Sequence, residues 1–143
     1  MRGFSLLELL VVLGIVGILG SVVVSGYQGI KSARYPEDAA MTYRLSLLEA
    51  SSRARTMDRD SAWGVKVLPG EILVFKGVSY AARDTTQDKR IPIASTLTLS
   101  AQTEVVFAKF SGTPSGTSTT TFSTAYASSS AYVLASGAVG IAP

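Results

Sequence analysis

From Leu9 to Val24 every residue is Leu, Val, Ile or Gly except Ser21. Phe4 to Val24 makes 21 residues, which as a helix spans about 31 Å, the thickness of a hydrocarbon core. A buried helix of a water-soluble domain rarely stays uncharged for so long, so this segment reads as a membrane-spanning helix. One carboxylate, Glu8, interrupts it. An acid at the middle of such a helix costs roughly 2.5–3.5 kcal/mol, and less near an end. One account of Glu8 is local: in a first helical turn the helix dipole favours an acid and headgroup water is near. That account leaves Gly3, and the pattern around both residues, unexplained. A removed secretory signal is a competing reading, with Val24-Ser25-Gly26 as its cleavage site. Against it, Arg2 is the only basic residue before the run, and an acid follows.

The remaining charges are unevenly spread. None lies between Glu8 and Lys31, and none after Lys109. The chain therefore divides into an apolar N-terminus, a charged middle and a neutral C-terminal third. Its 13 Lys+Arg against 10 Asp+Glu are too nearly balanced to argue for nucleic acid. Cysteine and histidine are both absent. This excludes disulfides, zinc–thiolate sites and thiol nucleophiles, and removes the commonest general base and metal ligand.

Gly3-Phe4-Ser5-Leu6-Leu7-Glu8, followed by the apolar run, resembles the class III signal of type IV pilins and type II secretion pseudopilins. The leader, Met1-Arg2-Gly3, is shorter than is usual in that family. The resemblance implies cleavage between Gly3 and Phe4 by a prepilin peptidase and N-methylation of Phe4. It also implies polymerisation through the helix into a pilus or pseudopilus. The chemistry is consistent with this. A buried carboxylate is tolerated when a cation pairs with it, and cleavage creates an amine on Phe4. The Phe4 amine of one chain meeting Glu8 of another would make Glu8 an assembly and register device.

Gly14, Gly17, Gly20, Gly26 and Gly29 puncture the helix. Such small residues either let helices approach closely in lipid or, as in family filaments, let the Gly26–Gly29 stretch melt. Tyr35-Pro36 predicts a kink or the first turn of a renewed helix. Beyond it, Ala40, Tyr43, Leu47, Ala50, Ala54 and Met57 follow helical spacing and should pack on a sheet. Met41, Leu45 and Leu48 form a second row. Either both rows make one broad core face, or the second is exposed in the monomer and buried in a filament. Asp58-Arg59-Asp60 ends the pattern, so a helix from Phe4 to Met57 would be roughly 80 Å long.

Trp63–Leu68 and Glu71–Phe75 alternate around Pro69-Gly70 and predict a hairpin. Further strands are expected at Val78–Ala82, within Ile91–Ser100, and at Glu104–Lys109, Thr119–Tyr126 and Ala131–Ala135, with a last turn at Ser136-Gly137. Arg83–Arg90 and Ser111–Gly116 read as loops. One long helix and about six or seven short strands make an α+β fold, pilin-like by the resemblance, with the helix packed on antiparallel sheet. "SSRARTMDRDSAWGVKV", "EVVFAKFSGTPSG" and "AYVLASGAVGI" are similar to the H-type minor pseudopilin layout. Ser and Thr supply thirteen of residues 111–130. This is ordinary for solvent-facing strands, and also fits a glycosylated or adhesive surface.

No catalytic constellation is visible, since acid–base or hydrolytic chemistry needs positioned titratable groups. The chain is not read as an enzyme, and no cofactor or metal is expected. Asp84 and Asp88 flank Thr-Thr-Gln, where oxygen-ligand calcium binding is conceivable but a solvated loop is the plainer reading. Arg53, Arg55 and Arg59 form a basic cluster better read as charges facing water or neighbouring subunits than as a DNA site. The expected organisation is a leader at 1–3, a membrane and filament-core helix at 4–30, its amphipathic continuation at 31–60 and a β-rich head at 61–143. The expected precursor is a single-pass inner-membrane protein with an external head, becoming part of a cell-surface filament after assembly. Expected partners are other pilin or pseudopilin subunits, the prepilin peptidase and the inner-membrane assembly platform. The alternatives are a minor pilin that binds DNA or a surface, and a membrane-anchored binding domain that never polymerises.

Overall fold

Leu6–Arg55 form one 50-residue helix, α1, about 75 Å long. This computed structural model describes residues 5–101 and 104–142, with residues 22–30 described as backbone only. The helix runs unbroken through Gly26–Gly29 and through Pro36, so it shows neither a melted stretch nor a renewed start. Proline lacks the N–H that would bond the carbonyl four residues back, here that of Ser32. That carbonyl is bonded instead by the Thr124 hydroxyl, 3.1 Å away. A loop of the C-terminal third thereby docks on the helix where the proline leaves an acceptor open.

The chain leaves the helix through three residues with positive φ, Met57, Arg59 and Asp60, around a 3-10 turn at Asp58–Asp60. Eight strands follow: β1 Trp63–Leu68, β2 Glu71–Lys76, β3 Asp84–Pro92, β4 Thr98–Leu99, β5 Glu104–Phe107, β6 Ser118–Ser123, β7 Ser128–Val133 and β8 Val139–Ala142. They form two four-stranded antiparallel sheets, ordered β3-β2-β1-β5 and β4-β6-β7-β8. The α+β class and the predicted hairpin hold. Gly70 (φ +82°) turns that hairpin, and its register pairs Val65 with Val74.

Both sheets pack on one face of α1. Ala40, Tyr43, Leu47, Ala50 and Ala54 are fully buried there against Trp63, Val65, Val67 and Phe107 of the first sheet and Phe122, Ala131 and Val133 of the second. Four of these twelve are alanine, small enough to let helix and strands approach closely. Met57 drops out of the expected row, because the helix has already ended and its side chain is exposed.

Two expectations for the polar middle are overturned. Apart from Arg83, the expected loop Arg83–Arg90 is most of β3, an edge strand whose charges suit an unpaired sheet edge. Val78–Ala82 is no strand but a string of turns. Gly77 (φ +145°) takes the chain out of β2. The Tyr80 N–H then donates to Glu104 (2.7 Å) and the Ala82 N–H to the Ser79 hydroxyl, so these groups are unavailable for a ladder. The turns lay Tyr80 edge-on against Phe75, with Lys66 and Arg83 each 4.0 Å from its ring. Phe75 in turn covers Gly64, where a Cβ would overlap its ring. Gly64→Ala is therefore expected to destabilise the head by about 1–3 kcal/mol through overpacking. Thermal unfolding of the variant measures this, and an unchanged midpoint would refute the packing account.

Candidate assembly interface

The two processing residues, Gly3 and Phe4, lie outside the described residues. Glu8 is described. It is the third residue of α1, three after the N-cap Ser5. Ser-x-x-Glu is the spacing of a capping box, in which the two side chains would satisfy each other's backbone N–H groups. Ser5 makes no side-chain cap bond, and among the described residues Glu8 has no hydrogen-bond or ion-pair partner. Its carboxylate is exposed on the first turn, where the helix dipole favours it.

Around Glu8, every large apolar side chain from Leu6 to Leu19 is more than half exposed. An apolar surface of that extent marks an interaction with lipid or with other chains. The only polar side chain of residues 9–21, Ser21, turns its hydroxyl back to the Ile18 carbonyl at 2.7 Å. Gly14, Gly17 and Gly20 are open, with nothing within 4 Å of the position a Cβ would take. Among the described residues no helix is long and apolar enough to cross a membrane. The apolar residues 6–21 amount to about 24 Å of helix.

The upper half of α1 resolves the choice between its two apolar rows. Met41, Leu45 and Leu48 are 47%, 55% and 41% exposed. At 100° per residue they lie roughly 140° around the helix from the buried row, so the two do not form one core face. The same outward surface carries Arg34, Glu37, Asp38 and Arg44, none of which makes an ion pair among the described residues. Read as sequence, the first three of these and Lys31 are only balanced charge. Folded, they share a face, a fact carried by helical spacing and visible only once the buried side is known.

The other candidates are engaged within the subunit. Arg53 pairs with Glu49 (2.7 Å) and lies over the Trp63 ring. Arg59 bonds Gln87, and Arg55 lies against Gly112 and Gly137. The three do not form one open basic patch. Asp88 is nearly buried and held by Arg83 at 3.1 Å. Asp84 bonds the Thr86 hydroxyl and N–H, which hold its carboxyl below the usual aspartate value. The two acids thus already have partners, and among the described residues no three carboxylates come together as metal ligands would. The Ser/Thr-rich stretch 111–130 supplies β6, the start of β7 and the loops before and between them, and Thr121 and Ser130 form a cross-strand hydroxyl pair at 2.9 Å. A cavity of about 550 Å³ lies between Val78 and Pro114, and its charged pair, Asp60 and Lys109, is closed on itself.

Comparison with known families agrees with the N-terminal features. The prokaryotic N-terminal methylation motif matches residues 1–24. That match supports the type IV pilin and pseudopilin family and a processed, pilin-like subunit. It ends before the head and does not extend to the H-type likeness. No curated protein and no solved structure matches the chain.

Proposed function

We propose that this chain is a structural subunit of a type IV pilus or type II secretion pseudopilus. It is cut between Gly3 and Phe4, methylated on Phe4, held in the inner membrane by the first half of α1, and polymerised through that helix. The observation that carries this reading is the methylation motif at residues 1–24 on a helix whose large apolar side chains from Leu6 to Leu19 are exposed in its own subunit, while its second half carries the head. A helix so constructed needs lipid before assembly and other helices after it. Other filament subunits, the prepilin peptidase and the inner-membrane assembly platform are the partners this role requires.

Mass spectrometry of the N-terminus, combined with imaging of sheared filaments probed for this chain, tests the proposal. The expected result is a methylated Phe4 as first residue in filament-borne protein. An intact Met1 in assembled material would overturn the processing, and absence of the chain from every filament would overturn the role.

A further inference from the structure

The charges on the outward face of α1 fall on two flanks. At 100° per residue, Glu37 and Arg44 lie within about 20° of each other, as do Lys31 and Asp38 on the opposite side of Met41. Glu37 and Arg44 are seven residues apart, acid below base. Lys31 and Asp38 are also seven apart, base below acid. One flank is therefore the charge complement of the other, displaced by six residues. Each flank borders a hollow. Arg44 and Glu37 line one of about 500 Å³ beside Ile141 of β8, which reaches across Met41 to Arg34 and Asp38. Asp38 lines another of about 390 Å³ beside Pro92 and Ile93. Most other head charges are engaged within the subunit, Glu49 with Lys89, Lys66 with Glu104, Lys76 with Asp84 and Arg90 with Glu71.

We propose that a second copy of this chain docks parallel to the first along α1, raised by about six residues or 9 Å, with its Asp38 against Arg44 of the first. The inference rests on the assembly reading above and specifies its register. The pairing joins one flank to the other, so it is heterologous and can be repeated without closing. Lys31 of the raised copy comes level with Glu37 of the first, which adds to the match, although Lys31 also has a contact in its own chain. With no displacement, Glu37 would face Asp38 and the flanks would repel.

The native chain has no cysteine, so paired cysteines report the register directly. In the full-length Asp38→Cys/Arg44→Cys variant the two thiols of one helix are about 9 Å apart along the axis, too far to join to each other. Mild oxidation of filaments carrying it is expected to give a ladder of covalent oligomers. Asp38→Cys alone and Arg44→Cys alone are expected to give no covalent dimer, and Glu37→Cys/Arg44→Cys no ladder. Independently, Asp38→Arg or Arg44→Asp should lower incorporation into filaments by about fivefold or more, and the double exchange should restore it, since like charges placed face to face suppress pairing. Filaments that contain the chain but yield no Asp38–Arg44 ladder and no rescue overturn the register and leave the assembly reading standing. Covalent dimers from either single variant would mean an unshifted contact and overturn it also. Absence of the chain from filaments overturns both.

Discussion

Trp63→Ala is expected to lower the stability of the head by about 3–5 kcal/mol, the range for removing a large aromatic side chain from a core. Trp63 is the only tryptophan and is fully buried at the start of β1. It joins four elements. Its ring packs in the core beneath α1, and the Arg53 guanidinium lies 4.6 Å from the ring. Its indole N–H donates to the Asp58 carbonyl at 3.0 Å, fixing the 3-10 turn that takes the chain off the helix. Its backbone is opposite Lys76 of β2 and Phe107 of β5. Truncation leaves a void between helix and sheet, and small alanines on the helix side cannot fill it. Trp63→Phe keeps an aromatic ring there but drops the N–H, and should cost less, by an amount that includes about 1 kcal/mol for the lost hydrogen bond. Denaturant unfolding of the full chain in micelles, followed by circular dichroism because the fluorophore is removed, measures both variants. A loss below about 1 kcal/mol for Trp63→Ala would show that the head does not depend on this junction.

Trp63 also illustrates what could be read before folding. It opens an alternating run followed by Pro69-Gly70 and a second apolar run, so side-chain period and turn chemistry agree and the hairpin is legible. The buried helix row is legible for the same reason. β3 is not, because "DTTQDKR" has the composition of a loop. Its strand conformation comes from the neighbouring ladder of β2 and from its place at a sheet edge, where charge is tolerated. Val78–Ala82 fails in the opposite sense: its composition suits a strand, but Glu104, distant in sequence, bonds the Tyr80 N–H.

Contacts between distant residues account for the rest. Pro36 predicts a disturbance of the helix, but nothing local says that Thr124 will bond the carbonyl it leaves open. The proposed interface is legible only in part. Glu8 is conspicuous because a carboxylate conflicts with an apolar run, and Gly3 and Phe4 because they stand before it in the spacing of the methylation motif. Arg34, Glu37, Asp38 and Arg44 conflict with nothing on a helix surface. They acquire meaning only when the fold shows which side of α1 is covered and that these four lie on the other.

Glu8→Leu is the sharper test of the interface, because local and assembly accounts of Glu8 predict opposite results. If the acid serves only its own helix, through the dipole at the first turn, its removal costs a few tenths of a kcal/mol to about 1 kcal/mol. Leucine then more than compensates in a lipid setting, by removing an insertion cost of up to about 2.5–3.5 kcal/mol. The variant would insert as well as the native chain and assemble as well. If Glu8 pairs with the Phe4 amine of a neighbour, insertion is still unharmed, but each variant subunit leaves a buried cation unpaired in the filament. Breaking a buried pair in this way costs about 3–5 kcal/mol, so incorporation should fall by more than about a hundredfold. The absence of any Glu8 partner among the described residues is consistent with the second account. Membrane fractionation and quantification of the chain in sheared filaments separate the outcomes. Glu8→Gln adds a control, since it keeps the shape and polar oxygen while removing the charge. Native levels of Glu8→Leu in filaments would return Glu8 to the local role.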